Sequence, residues 1–188
     1  MHEETEMMLR AYLSRWLDRF EKAFDYDASY MRHVLRVSPK SLVKFGFGTK
    51  AADPKAAPAE ALAAAGLVGA MSEDCGPCVQ VGVDIATANG MDPAVLRAII
   101  AGDEAAMGET AALAYRFAKA SLARDMEACD PLRDEIVRRW GDKALVAIGL
   151  TITAARMYPT LKYALGYGKA CSRVVVAGEA VAPLKRAA

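Results

Sequence analysis

Apolar residues return at every third or fourth place through nearly the whole chain, and that period confines it to packed helices. Leu9, Leu13, Trp16, Leu17, Phe20 and Phe24 share one side of such a stretch, with Arg10, Arg15, Asp18 and Glu21 elsewhere on the wheel, so residues 3 to 24 read as an amphipathic helix. Its large rings suit either a core or a contact with another subunit, where aromatic residues are enriched. Asp27 stands where it would cap a second helix carrying Tyr30, Met31, Val34 and Leu35 on one side, and Ser38-Pro39 reads as a cap followed by a first-turn proline. Glycine, proline and lysine break the pattern from Gly46 to Pro58, which reads as a loop. Ala59 to Met71 returns to helix, and Ala65, Gly66 and Gly69 leave room for a close neighbour. A helix from about Gly76 to Asn89 is stopped by Gly90, a left-handed cap, and Asp92-Pro93 opens the next. Residues 106 to 124 turn Leu113, Phe117, Ala118 and Leu122 inward; Asp130-Pro131 starts another helix; Lys143 to Met157 is strongly apolar. Tyr158-Pro159 is expected to interrupt or kink that last helix, because the residue before proline disfavours helical backbone. Val174 to Val176 is the one short run that resembles a strand. The expectation is an all-α, multi-helix bundle.

The length of 188 residues fits a single all-helical domain over residues 1–188. It divides into an N-terminal helical extension (1–50), a central unit (59–125) and C-terminal helices (126–188). Lys plus Arg number 24 against 23 for Asp plus Glu, which leaves no net field of the kind that nucleic-acid binders carry. The first residues are acidic where an export signal would be basic and then apolar. The longest uncharged apolar run, Ala144 to Ala155, is too short to cross a bilayer. The expected location is the cytoplasm, with neither membrane nor nucleic acid as partner.

Against this background the chemistry concentrates in Ser72-Glu73-Asp74-Cys75-Gly76-Pro77-Cys78, where two of four cysteines fall three apart at a helix start. Three readings compete: a redox dithiol, half of a zinc site, or two buried small residues. Zinc needs four ligands, and Cys129, Cys171, His2 and His33 are isolated from one another, so no metal or other cofactor is expected. Apolar filling needs no Gly-Pro turn, whereas a dithiol at a helix start does. Pro77 suits the first turn, and the free N–H groups there favour thiolate over thiol. In a reducing compartment a lone close pair points to catalysis or sensing. Asp74 reads as a helix cap, and Glu73 as a carboxylate that takes or returns a proton during exchange. His33 reads as a structural residue, and the tyrosines of the Pro159, Tyr163, Tyr167, Cys171 repeat as a packed face or a pocket lining. Gly82, one turn below Cys78, makes space beside the thiol for substrate or for another helix, and close packing is the simpler account.

Glu73 to Cys78, the helical run Val79 to Asn89 and the start Gly90-Met91-Asp92-Pro93 together resemble the alkylhydroperoxidase D-like and carboxymuconolactone decarboxylase superfamily. The similarity covers about Ala59 to Leu122. Thioredoxin shares the Cys-Gly-Pro-Cys residues but sets them after a strand, whereas here an alanine-rich helix precedes them. The resemblance implies an all-helical homo-oligomer. In its peroxidase members a glutamate one helix earlier and a histidine one turn after the second cysteine relay protons to the dithiol. In this chain those positions are about Ala63, with Glu60 one turn away, and Gly82, so only Cys75 and Cys78 carry over. Decarboxylase members work without the pair. The resemblance makes Cys78 the attacking thiol; placement at the motif's outer end would make it Cys75. The expected activity is thiol–disulfide exchange or hydroperoxide reduction through Cys75 and Cys78 with Glu73 beside them. Its partners would be a hydroperoxide or disulfide substrate and a thiol reductant. The alternative is a non-enzymatic, oligomeric binding or redox-sensing protein on the same scaffold.

Overall fold

In the computed structural model, which describes residues 2–168 and 174–182, caps and turn glycines cut the chain into nine α-helices and one short hairpin among the described residues. The helices are α1 (His2–Phe24), α2 (Ser29–Val37), α3 (Pro39–Phe47), α4 (Ala59–Met71), α5 (Gly76–Ala88), α6 (Pro93–Ala101), α7 (Gly108–Ala123), α8 (Met126–Trp140) and α9 (Asp142–Ala164). A 3₁₀ turn, Gly48–Lys50, follows α3. Antiparallel strands β1 (Val174–Val176) and β2 (Glu179–Val181) pair with Val175 opposite Ala180. The class is all-α.

Local chemistry sets most boundaries. The Ser38 hydroxyl accepts from the Ser41 N–H at 3.3 Å and the Asp92 carboxylate from the Ala94 N–H at 2.8 Å, with proline in the first turn of both helices. Gly90 takes φ 81°, the left-handed turn that ends α5. The Asp27 carboxylate accepts from the Ser29 N–H at 3.0 Å, one residue ahead of the N-cap, Ala28.

Two proline expectations are corrected. Helix α8 begins a turn before Asp130-Pro131, because the Asp125 carboxylate accepts from the Ala128 N–H at 3.0 Å and caps it there. Helix α9 runs through Pro159 to Ala164. An interior proline costs about 3 kcal/mol, and packing outweighs it: Tyr158, Leu161 and Leu165 lie against the buried cluster of the first three helices, with the Tyr158 ring 4.7 Å from Phe45.

Two apolar clusters result. The first gathers α4, α5, α6, α7, α8 and α9, with Leu96, Ile99, Ile100, Met107, Ile136 and Ile148 fully buried. Gly69 lets α4 lie directly on α9: a methyl there would come within 2.9 Å of the Ile152 carbonyl oxygen and 3.2 Å of Ala155 Cβ. Val174 and Val176 turn inward, and Gln80 of α5 anchors the hairpin, giving its amide N–H to the Val175 carbonyl (3.0 Å) and accepting the Val175 N–H (2.7 Å). Helix α9 is by length and composition apolar enough to cross a membrane, although its uncharged run is shorter; its Ala144, Ala147, Ile148 and Ile152 are buried inside the protein.

The second cluster is built by α1, α2 and α3 around Leu17, Tyr30 and Met31. Cys78 and Val81 of α5 and the end of α9 pack against it, so α1, α2 and α3 cover the start of the motif helix. On α1 the expected stripe divides: Leu13 and Leu17 are buried, while Trp16 is 42% exposed and continues outward into Tyr12 and Met8.

Candidate active site

The turn between α4 and α5 prepares the dithiol. The Ser72 hydroxyl donates to the Gly69 carbonyl at 2.7 Å, and Asp74 takes φ 52°, a left-handed conformation that aspartate tolerates better than most side chains. Cys75 is the N-cap residue of α5, which has no side-chain cap, so Asp74 is not the cap expected of it. Its main chain is used instead: the Tyr163 hydroxyl donates to the Asp74 carbonyl at 2.9 Å. Glu73 forms an ion pair with Arg156, whose Nε lies 2.6 Å from Oε1, and accepts from the Thr160 hydroxyl at 3.4 Å. These bonds tie the turn to α9. Among the described hydrogen bonds of Glu73, none reaches a sulfur.

The sulfurs of Cys75 and Cys78 are joined as a disulfide, with Cα atoms 5.3 Å apart across the first turn of α5. Cys75 is 1% exposed and Cys78 is partly open. The outer position in the sequence is therefore the sealed one, because Cys75 faces inward as α5 begins. Cys78 meets the Tyr26 hydroxyl at 3.6 Å, and since a disulfide sulfur carries no hydrogen, the phenol is the donor.

Tyr26 arrives from the turn between α1 and α2. Its N–H donates to the Glu21 carbonyl at 3.1 Å, the Ala28 N–H donates to the Glu21 carboxylate at 3.2 Å, and Phe20 and Tyr30 pack edge-on against its ring. Lys162 of α9, 2% exposed, holds its Nζ 4.8 Å from the Tyr26 ring centroid and 5.8 Å from that of Tyr30, within cation–π range of both. Burial pushes the Tyr26 phenol up, the neighbouring Tyr30 hydroxyl draws it partly back, and the charges of Asp27 and Tyr158 add to the rise. Burial pushes Tyr30 further, beyond the ordinary phenol range, and its buried hydroxyl makes no hydrogen bond of acceptable geometry. Both phenols stay protonated near neutral pH, which makes Tyr26 a donor and not a base.

The remaining residues singled out in the sequence lie apart from this chemistry. A methyl on Gly82 would come within 3.0 Å of Leu67 Cδ2, so the glycine serves the packing of α5 on α4. His33 Nδ1 lies 3.3 Å from the Tyr167 hydroxyl and supports the second cluster's edge. Cys129 is buried near Arg133, and Cys171 lies outside the described residues. No group of three or more potential metal ligands occurs among the described residues. A surface hollow of about 600 Å³ between α7 and α8, edged by Glu109, Arg116, Glu135 and Arg139, contains neither Cys75 nor Cys78.

Sequence reasoning missed Tyr26 and Lys162. Tyr26 carried one signal, an aromatic residue in a turn between two aspartates and outside both helical stripes; Lys162 carried none. No protein-family model, curated protein or solved structure matches the chain.

Proposed function

We propose that the chain is a thiol–disulfide oxidoreductase working through Cys75 and Cys78, with hydroperoxides as a second class of oxidant for the same dithiol. The observation that carries this reading is the bonded pair on the first turn of α5, one cysteine sealed and the other partly exposed as a residue. That asymmetry supports attack by Cys78 and resolution by Cys75. The Cys78 thiolate attacks one sulfur of a substrate disulfide and expels the other as a thiolate. Cys75 then attacks Cys78 Sγ, closing the internal disulfide and releasing the second substrate thiolate. With a hydroperoxide, Cys78 attacks the terminal oxygen, the O–O bond breaks, and the alkoxide leaves to be protonated by solvent. Cys75 displaces hydroxide from the resulting sulfenic acid, and water forms. Two equivalents of an external thiol return the disulfide to the dithiol and become a disulfide themselves.

The all-α class and the order of motifs support a place among alkylhydroperoxidase D-like proteins, and the missing glutamate and histidine positions favour disulfide exchange over peroxide reduction within that reading. A cytoplasmic setting supplies the reductant. The exposed row Met8, Tyr12 and Trp16 on α1 supports a homo-oligomer.

Titration of the reduced protein with oxidised glutathione and with an alkyl hydroperoxide, counting free thiols and following turnover with a dithiol reductant, tests the proposal. Turnover should vanish in Cys78→Ser, and Cys75→Ser should accumulate a mixed disulfide on Cys78. Variants that cycle like the parent would remove the enzyme reading. A second reading, a redox sensor, is favoured by the sealing of Cys75 and the cover over Cys78; stoichiometric oxidation without turnover would select it.

A further inference from the structure

Resting on the dithiol reading above, we infer that Tyr26 is a catalytic group: its hydroxyl donates a hydrogen bond to Cys78 Sγ and holds that sulfur as a thiolate in the reduced protein, with Lys162 as the positioning residue behind the ring. The contact already exists in the oxidised state at 3.6 Å. When an external thiolate attacks Cys78 Sγ, the S–S electron pair leaves with Cys75. A second external thiolate then attacks the reductant sulfur of the mixed disulfide, and Cys78 departs as a thiolate toward the hydroxyl that faces it. The reductant ends as a disulfide and no proton leaves Tyr26.

Lys162 gives this donor its strength. A buried ammonium is costly unless the surroundings compensate it, and here its charge lies against the faces of Tyr26 and Tyr30. A cation over the ring draws electron density from the phenol and sharpens its O–H as a donor. The groups around Cys78 are mixed in sign, with Asp27 as the opposing charge. Tyr26 and exposed Asp27 come from the α1–α2 turn, Tyr30 from α2, and Tyr158 and Lys162 from α9. The free N–H groups of α5 add their positive end, and Glu73 is engaged by Arg156. The phenols remain neutral because burial holds them protonated, so the positive contributions near Cys78 come from Lys162 and the helix start. The N-terminal helices thus bring to Cys78 a donor that Gly82, on α5 itself, has no side chain to provide.

The test is the pH dependence of iodoacetamide alkylation of Cys78 in the fully reduced, full-length protein, followed on the Cys78 peptide by mass spectrometry. Tyr26→Phe keeps the ring and removes the hydroxyl; its alkylation midpoint should rise by about one pH unit, which is about tenfold less thiolate below it. Lys162→Met should move the midpoint the same way and Lys162→Arg should restore it. The double variant Tyr26→Phe/Lys162→Met should go no further than Tyr26→Phe, because the lysine acts through the phenol. Superimposed profiles for the parent and Tyr26→Phe would overturn the inference, as would additive shifts in the double variant. Should Tyr26→Phe lose its helical circular dichroism, the contrast between Lys162→Met and Lys162→Arg decides: equal midpoints would overturn it. Turnover on the same samples is a separate readout. A parent that never cycles removes the oxidoreductase reading, while the thiol profile still judges Tyr26.

Discussion

Gly82 illustrates how much a single position carries. The sequence reading offered two uses for it, room for substrate or room for a helix, and the 3.0 Å approach to Leu67 Cδ2 selects the second. Leu67 is 3% exposed and sits in the first cluster, so it has little space to yield. Gly82→His should destabilise the protein by about 1–3 kcal/mol through overpacking and should not raise peroxide turnover. Gly82→Ala gains about 1 kcal/mol of helix propensity against a tight methyl contact and should stay within about 1 kcal/mol of the parent. Urea denaturation followed by circular dichroism checks both. A histidine variant as stable as the parent would show that the α4–α5 seam has slack.

The turn between α1 and α2 depends on Glu21. Its carboxylate accepts from the Ala28 N–H and from Arg32, and Arg32 also reaches Asp18 at 2.7 Å, so one residue of α1 fixes the start of α2 and the ring between them. The hydrogen bond from Arg32 holds the Glu21 carboxyl below its ordinary value, with the arginine charge and the Ala28 N–H adding to it, against burial and Asp18. A lowered carboxyl stabilises the fold above its unfolded value of about 4.3, and that contribution is lost as pH falls through the lowered folded value. Glu21→Gln should therefore cost about 1 kcal/mol at neutral pH, a figure kept small by solvent at these half-open side chains. The gap to the parent should close as the solution is acidified. Thermal melts across that pH range check it, and a pH-independent gap would assign the effect to packing. The prolines show a different limit on reading elements from local rules: Pro159 predicted a break or a kink, and the break does not occur, because Tyr158, Leu161 and Leu165 find partners in the second cluster.

Across the molecule, the disulfide closes a loop between residues separated by three positions, so its constraint on the unfolded chain is small. Loop-closure entropy for so short a ring is about 2 kcal/mol. Reduction should accordingly lower the melting temperature by about 4–8 °C in a chain of this size, with the helical circular dichroism retained. Calorimetry of the oxidised and reduced forms measures this. A reduced protein that melts at or above the oxidised one would show that the thiolate's surroundings offset the lost ring.

The helices, the caps Ser38 and Asp92 and the paired sulfurs were legible from residue order, because each depends on near neighbours: Ser38 on Ser41, Asp92 on Ala94, Cys75 on Cys78. Gly69 was legible as a close approach, though not as one to α9. The surroundings of the sulfurs were not legible. Tyr26 and Lys162 stand far from Cys78 along the chain and from each other, and each belongs to a segment that read as ordinary cover. Glu73 adjoins the motif and looked like its proton partner, yet Arg156 holds it. Local hydrogen bonds are encoded within a turn or two, whereas the polar environment of a buried atom is the sum of what distant helices bring when their apolar faces close.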